Sequence, residues 1–336
     1  MIRRGLVALA TVATAAACIT ACSPAADAPH EDAAAGYPVT VGSTLGDVTV
    51  PTRPERVVTL GWGSTEAALA LGVTPVGIRD MASDTTDGSG IQPWVADRLG
   101  DEKPELLDET SKSVPFEKIA SLKPDVILAV QSGLTADQYA LLSKIAPTVA
   151  YPGAPWQTSW RDQATTVGTV LGKPDEAKQL VADADARLAE VKRTHPEFAG
   201  KSIAATSVTD PASLGYYFDT DPRVEMLAAM GFTPLESLTS LRESAPDGKY
   251  AAQVGWEGVA RYSPDVLTTW FLDASTKSGA ESKPSYTSLR AVQQKSNVAL
   301  TDPDLVFAAS SPNVMNLPWL LDRIVPKLSK AADNVK

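Results

Sequence analysis

The sequence predicts an α/β protein of two related lobes joined by one long helix, and three observations predict it. Short apolar runs alternate with helical segments. Two sets of residues recur in the same order in the two halves of the chain. Between the halves lies one uninterrupted amphipathic stretch.

Taken in order, Tyr37 to Val50 alternates apolar and polar residues around Gly42 and Gly46, as a hairpin does. Arg56 to Leu60 is a short buried strand, followed by the turn Gly61-Trp62-Gly63 and a helix from Ser64 to Leu71, capped by Ser64 and stopped at Gly72. Pro75 to Ile78 supplies the next strand, and a long loop carrying Trp94 follows. The repeat pairs Glu117 through Pro124-Asp125-Val126 with Glu257 through Pro264-Asp265-Val266. Each copy places Glu seven residues before the proline, so a short helix ends there and a buried strand begins. Tyr139, Leu142 and Ile145 recur as Tyr286, Leu289 and Val292. From Pro174 to Arg193, residues Ala177, Leu180, Val181, Ala184, Leu188 and Val191 keep helical spacing, a rod of about 30 Å. The resulting division is 37–172 for the first lobe, 173–196 for the connecting helix and 197–336 for the second lobe, preceded by segments 1–21 and 22–36.

Composition excludes several functions. With 44% hydrophobic residues in 336, the chain has the means to build a real core and is not disordered. Lys+Arg 30 against Asp+Glu 40 gives a charge of -10, the wrong sign for gripping nucleic acid. Two cysteines and two histidines are too few for a Cys/His zinc site or a disulfide scaffold.

Both cysteines fall in the first 22 residues, where Arg3 and Arg4 precede an apolar run of small residues. This is a secretory signal pattern, too short to span a bilayer. Ile19-Thr20-Ala21-Cys22 resembles a bacterial lipobox, which implies cleavage before Cys22 and lipidation of its thiol. Cys18 fits that pattern less well. Removing Arg3 and Arg4 takes the formal charge from -10 to -12. Ser23 to Gly36 reads as a flexible tether of at most about 45 Å.

The phrases P-E-R-V-V-T-L from Pro54, S-T-E-A-A-L-A-L-G-V-T-P-V-G-I from Ser64, F-E-K-I-A-S-L-K-P-D-V-I-L from Phe116 and L-S-K-I-A-P-T-V from Leu142 resemble the iron-siderophore substrate-binding proteins of ABC importers. The resemblance runs from Pro54 to Lys330. It implies the helical-backbone class of binding proteins, with the ligand in a cleft between the lobes. It also implies that Glu117 and Glu257, one per lobe, dock onto arginines of the paired permease subunits. The expected protein is therefore not an enzyme but an extracytoplasmic receptor, a lipid-anchored monomer on the outer face of the cytoplasmic membrane. It holds no cofactor of its own and carries ferric iron only as the siderophore complex.

Ligands of open α/β sheets lie beyond the C-terminal ends of the strands. On that rule Trp62, Arg79, Trp94, Gln131 and Trp156 are the first-lobe candidates, with Lys112 standing where some hydroxamate receptors carry an arginine. Tyr216, Tyr217 and Arg223 follow a strand around Ile203 to Val208, Trp270 ends the strand Val266 to Thr269, and Asn313 follows a strand from Leu305 to Ala308. Each tryptophan is equally eligible for a core place. Few arginines among the candidates favour a ferric hydroxamate or mixed-type siderophore over a trianionic triscatecholate. Haem or cobalamin is the alternative ligand, with Tyr216 and Tyr217 as eligible haem ligands. A secreted enzyme is the other alternative, but Gly61-Trp62-Gly63 lacks the third glycine of a dinucleotide fingerprint, and His195 has no evident nucleophile partner.

Overall fold

A computed structural model describes residues 36–110, 113–246 and 248–336. Cys22, the signal pattern, most of the tether and Lys112 lie outside the described residues.

The hairpin is β1 (Val39–Val41) and β2 (Val48–Val50), paired antiparallel. The first lobe is a wholly parallel sheet of β3 (Val57–Thr59), β4 (Gly77–Arg79), β5 (Glu105–Leu107), β6 (Val126–Leu128) and β7 (Thr148–Val149), in the order β5-β4-β3-β6-β7. The second lobe holds β8 (Ser202–Val208), β9 (Ser213–Tyr217), β10 (Thr233–Pro234), β11 (Ala251–Gly255), β12 (Val266–Phe271) and β13 (Asn297–Leu300). Its order is β11-β9-β8-β12-β13, with β10 beside the start of β8 and with β9 and β11 antiparallel. The helix Pro174–Thr194 joins the lobes. Pro174 at its start and Asp175 and Glu176 in its first turn suit the positive helix end, as Lys192 and Arg193 suit the negative one.

The repeat has a structural reason beyond its strand. Asp125 Oδ2 accepts from the Glu55 and Arg56 amides at 2.7 and 3.0 Å, fixing the entry to β3. Asp265 Oδ2 accepts from the Ser202 amide and hydroxyl, both at 2.8 Å, fixing the entry to β8. In each lobe the Pro-Asp-Val aspartate thus ties its own strand to the parallel strand beside it. The copies differ before the proline: Phe116–Ser121 is an α-helix, whereas Val259–Arg261 makes only a 3₁₀ turn.

Burial opposes ionisation of Asp265, but the Ser202 hydrogen bonds and the charges of Arg290 and Lys201 outweigh it and hold its carboxyl below the usual 3.8. A carboxylate depressed in the fold stabilises fully above that value and loses its contribution as pH falls through the native pKa. Asp265→Ala is expected to cost about 1–3 kcal/mol at neutral pH. Denaturant titrations at pH 7 and in the acid limb should show the gap between variant and parent closing below about pH 4.

Three expected elements differ. Leu305 to Ala308 is not a strand but part of the helix Pro303–Ser310, because Asp302 caps it through the Leu305 amide and Pro303 occupies its first turn. Trp94 is not in a loop but in the helix Pro93–Leu99, again started by a proline. Ser64 is not a cap; Gly63, at φ 73°, takes that position and Ser64 is the first helical residue.

One apolar core crosses between the lobes. It joins Leu69, Trp94 and Trp160 of the first to Val224, Phe307 and Leu320 of the second. Trp94 stacks on Phe307 at 6.3 Å and meets Trp319 edge-on at 5.1 Å. Opening the lobes as rigid bodies would strip these rings of their partners, so the fold opposes wide hinge motion.

Candidate ligand cleft

The first lobe builds a wall from the carboxyl ends of all five of its parallel strands. Trp62 comes from the turn after β3, Arg79 and Asp80 from the end of β4, and Asp108 to Thr110 from the loop after β5. Gly133 and Leu134 follow β6 and Trp156 follows β7. Arg223 and Tyr250 of the second lobe complete a cavity of about 580 Å³.

Backbone geometry fixes where the aromatic wall stands. Gly61, at φ 70°, passes so close to the Gln131 carbonyl that a Cβ there would lie 2.3 Å from it. Its amide donates to Glu109 Oε2 at 2.8 Å, and the Trp62 amide donates to the Gln131 carbonyl at 2.9 Å. Trp156 sits at φ 62°, a left-handed conformation uncommon outside glycine. Gln131 holds it there, donating to the Trp156 carbonyl at 3.1 Å and accepting from the Thr158 amide at 2.9 Å. Gly133 leaves room for the indole to lie against it, and the Trp62 and Trp156 rings meet at 4.9 Å.

On the facing side Arg223 is largely buried and paired with the fully buried Asp221, Nη1 to Oδ2 at 2.7 Å. Desolvation works against its charge, but Asp221 and the Tyr217 ring, 4.2 Å from the guanidinium carbon, keep it protonated. Burial pushes Glu109 up, against the Gly61 amide and the charge of Arg79. Two arginines therefore stand among the carboxyl groups of Asp80, Asp108 and Glu109, with Asp221, which burial also pushes up, behind.

Of the expected ligand contacts, Trp62, Arg79, Trp156 and Arg223 line this cavity. Others stand elsewhere, for reasons the structure gives. Trp94 is in the core between the lobes, donating to Glu66 at 3.2 Å. Gln131 is the buried clip described above. Asn313 is also buried, its Oδ1 accepting from the Met315 and Asn316 amides at 3.0 and 2.9 Å. Tyr216 and Tyr217 are not in a loop but end β9, where neighbours face opposite sides of the sheet. Tyr216 is wholly buried with its hydroxyl bonded to the Tyr262 carbonyl at 3.1 Å, and burial pushes that hydroxyl far up, so it has no free oxygen edge for haem iron. Tyr217 supports Arg223 from beneath, and Trp270 donates to the Tyr217 hydroxyl at 3.0 Å one layer behind the cavity. Tyr250, Asp80, Asp108 and Glu109 were not among the candidates.

Glu66, buried on the first helix, accepts from the Trp94 indole, and hydrogen bonding from its surroundings favours its charged form. Burial pushes its carboxyl above the usual 4.5, more than these bonds lower it. A carboxyl raised in the fold costs stability as pH climbs through the unfolded value toward the native one. Glu66→Gln should therefore unfold at a higher temperature than the parent at pH 7 and at the same temperature near pH 4, as thermal melts at both values will show.

Two lobes joined by one long helix, with an aromatic cleft at strand ends, are the architecture of a solute-binding protein. The profile of the periplasmic binding protein family matches residues 57–305, and the chain belongs to that family. It is 28% identical over 254 residues to the probable siderophore-binding lipoprotein YfiY of Bacillus subtilis, covering 74% of each chain. Its fold matches the crystal structure of PiaA from Streptococcus pneumoniae in complex with ferrichrome, with a TM-score of 0.80, 29% identity and coverage of 89% of this chain and 100% of PiaA. A periplasmic solute-binding protein from Mycobacterium smegmatis matches with a TM-score of 0.74 and 31% identity, covering 88% of this chain and 98% of the other.

Proposed function

We propose that this protein is the extracytoplasmic receptor of an ABC importer, capturing a ferric siderophore of hydroxamate or mixed type and passing it to the permease. The observation that carries the reading is the cleft: a Trp62–Trp156 wall faces Arg223, and carboxylates outnumber arginines around the space between. Flat aromatic faces suit a bulky complex with an apolar outer shell, and the charge pattern favours one near neutrality. The names of the relatives support the siderophore class. On this reading iron travels inside the siderophore's own ligand shell.

Docking is assigned to Glu117 and Glu257. Glu117 is exposed in the first turn of its helix, and Glu257 is exposed just beyond β11. Neither has an ion-pair partner among the described residues. The anchor is assigned to the Cys22 thiol, and Cys22→Ala should move the protein from the membrane to the soluble fraction; unchanged membrane association would contradict the lipoprotein assignment. Radioiron uptake from ferric siderophores tests the function as a whole. Deletion of the gene should abolish uptake of one class of complex and complementation restore it; unchanged uptake of every class would contradict the proposal.

A further inference from the structure

Trp270 and Tyr217 hold Arg223 in place. Trp270, near the end of β12, is not on the cavity wall, yet its Nε1 donates to the Tyr217 hydroxyl at 3.0 Å. The Tyr217 ring lies beneath the Arg223 guanidinium at 4.2 Å, and Tyr250 is parallel to it, ring centroids 6.2 Å apart and planes within 9°. Asp221 fixes the other side of the guanidinium through Nη1, and the Arg223 Nε has no partner among the described residues. A planar cation held by one carboxylate at its edge still rotates about that contact; a ring fixed beneath its face removes the remaining freedom. That ring is in turn fixed in β9 by backbone pairing and at its tip by the indole N–H.

We propose that Trp270 and Tyr217 are positioning residues that act on the ligand through Arg223, joined by the single hydrogen bond between the indole and the phenol. This rests on the receptor reading above. It gives a role to a tryptophan that stands behind the cleft, one residue before the end of β12.

The test is a double-mutant cycle on the full folded chain, titrating tryptophan fluorescence with ferrichrome as probe, or with whichever ferric siderophore the parent protein binds. Tyr217→Phe keeps its ring and Trp270→Phe keeps an aromatic, if smaller, side chain, and each removes the shared bond. Each should weaken binding about fivefold, the scale of one neutral hydrogen bond. The two together should weaken it no more than either alone. In an Arg223→Lys background, where the planar fork is gone, neither should matter. Additive losses, losses that persist in the Arg223→Lys background, or parental affinity in both single variants would each overturn the proposal. Thermal melts identify a fold defect: a Trp270→Phe loss accompanied by a lowered melting temperature and not reproduced by Tyr217→Phe would also overturn it. A parent protein that binds no ferric siderophore would refute the receptor reading itself.

Discussion

Reversing both exposed glutamates, Glu117→Arg together with Glu257→Arg, is expected to abolish siderophore-dependent uptake and leave the affinity of the receptor for its ligand unchanged. The two stand on structurally related lobes, each upstream of an aspartate that ties its strand to the neighbouring parallel strand. On the docking proposal, the two carboxylates meet a permease of two-fold symmetry that offers one cation to each. Reversal exchanges two attractions for two repulsions, and like charges brought together at an interface cost several kcal/mol, so docking fails outright. Neither residue lines the cleft, so binding should be untouched. Uptake assays paired with titration of the purified variant check both halves; normal uptake in the double variant would contradict the docking assignment.

The second large effect is expected at Arg223. Arg223→Ala removes the only second-lobe cation among the described residues that lines the cleft, and leaves Asp221, with none of its side chain exposed, without its ion-pair partner and holding only the residue 223 amide. Breaking a buried pair from one side costs about 3–5 kcal/mol of stability, and loss of a charge-assisted contact should weaken ligand binding by about 100-fold. A paired design separates the two. Arg223→Met combined with Asp221→Asn removes both charges, so stability should largely return while affinity stays lost. Recovery of affinity along with stability would show that Arg223 serves the fold and not the ligand.

The sequence revealed the skeleton because the skeleton is periodic. The connecting helix spans 174–194 where its apolar spacing placed it, and the repeat marked β6 and β12 at matching places in the two sheets. What the aspartates of that repeat bond to was hidden, since their partners lie 70 and 63 residues upstream of them. The error at Leu305 to Ala308 was avoidable: an apolar run of four residues suits strand or helix alike, but Asp302-Pro303 announces a helix. Pro93 did the same for Trp94. The acidic side of the cleft went unseen because β5 was not recognised, and the strand-end rule applied to Leu107 leads directly to Asp108 and Glu109. Which of two neighbouring tyrosines lies under Arg223 depends on strand register, and no local pattern around Tyr216 and Tyr217 sets it. Tyr250 approaches through the chain fold alone.

The most direct test of the account is tryptophan-quenching titration of the purified protein against ferric hydroxamates, ferric triscatecholates, haem and cobalamin. Trp62 and Trp156 lie on the cavity wall, so occupancy should quench them. Saturable, tight quenching by a near-neutral ferric hydroxamate or mixed-type complex, with triscatecholates far weaker, is the predicted result. Tight binding of haem or cobalamin alone would contradict it.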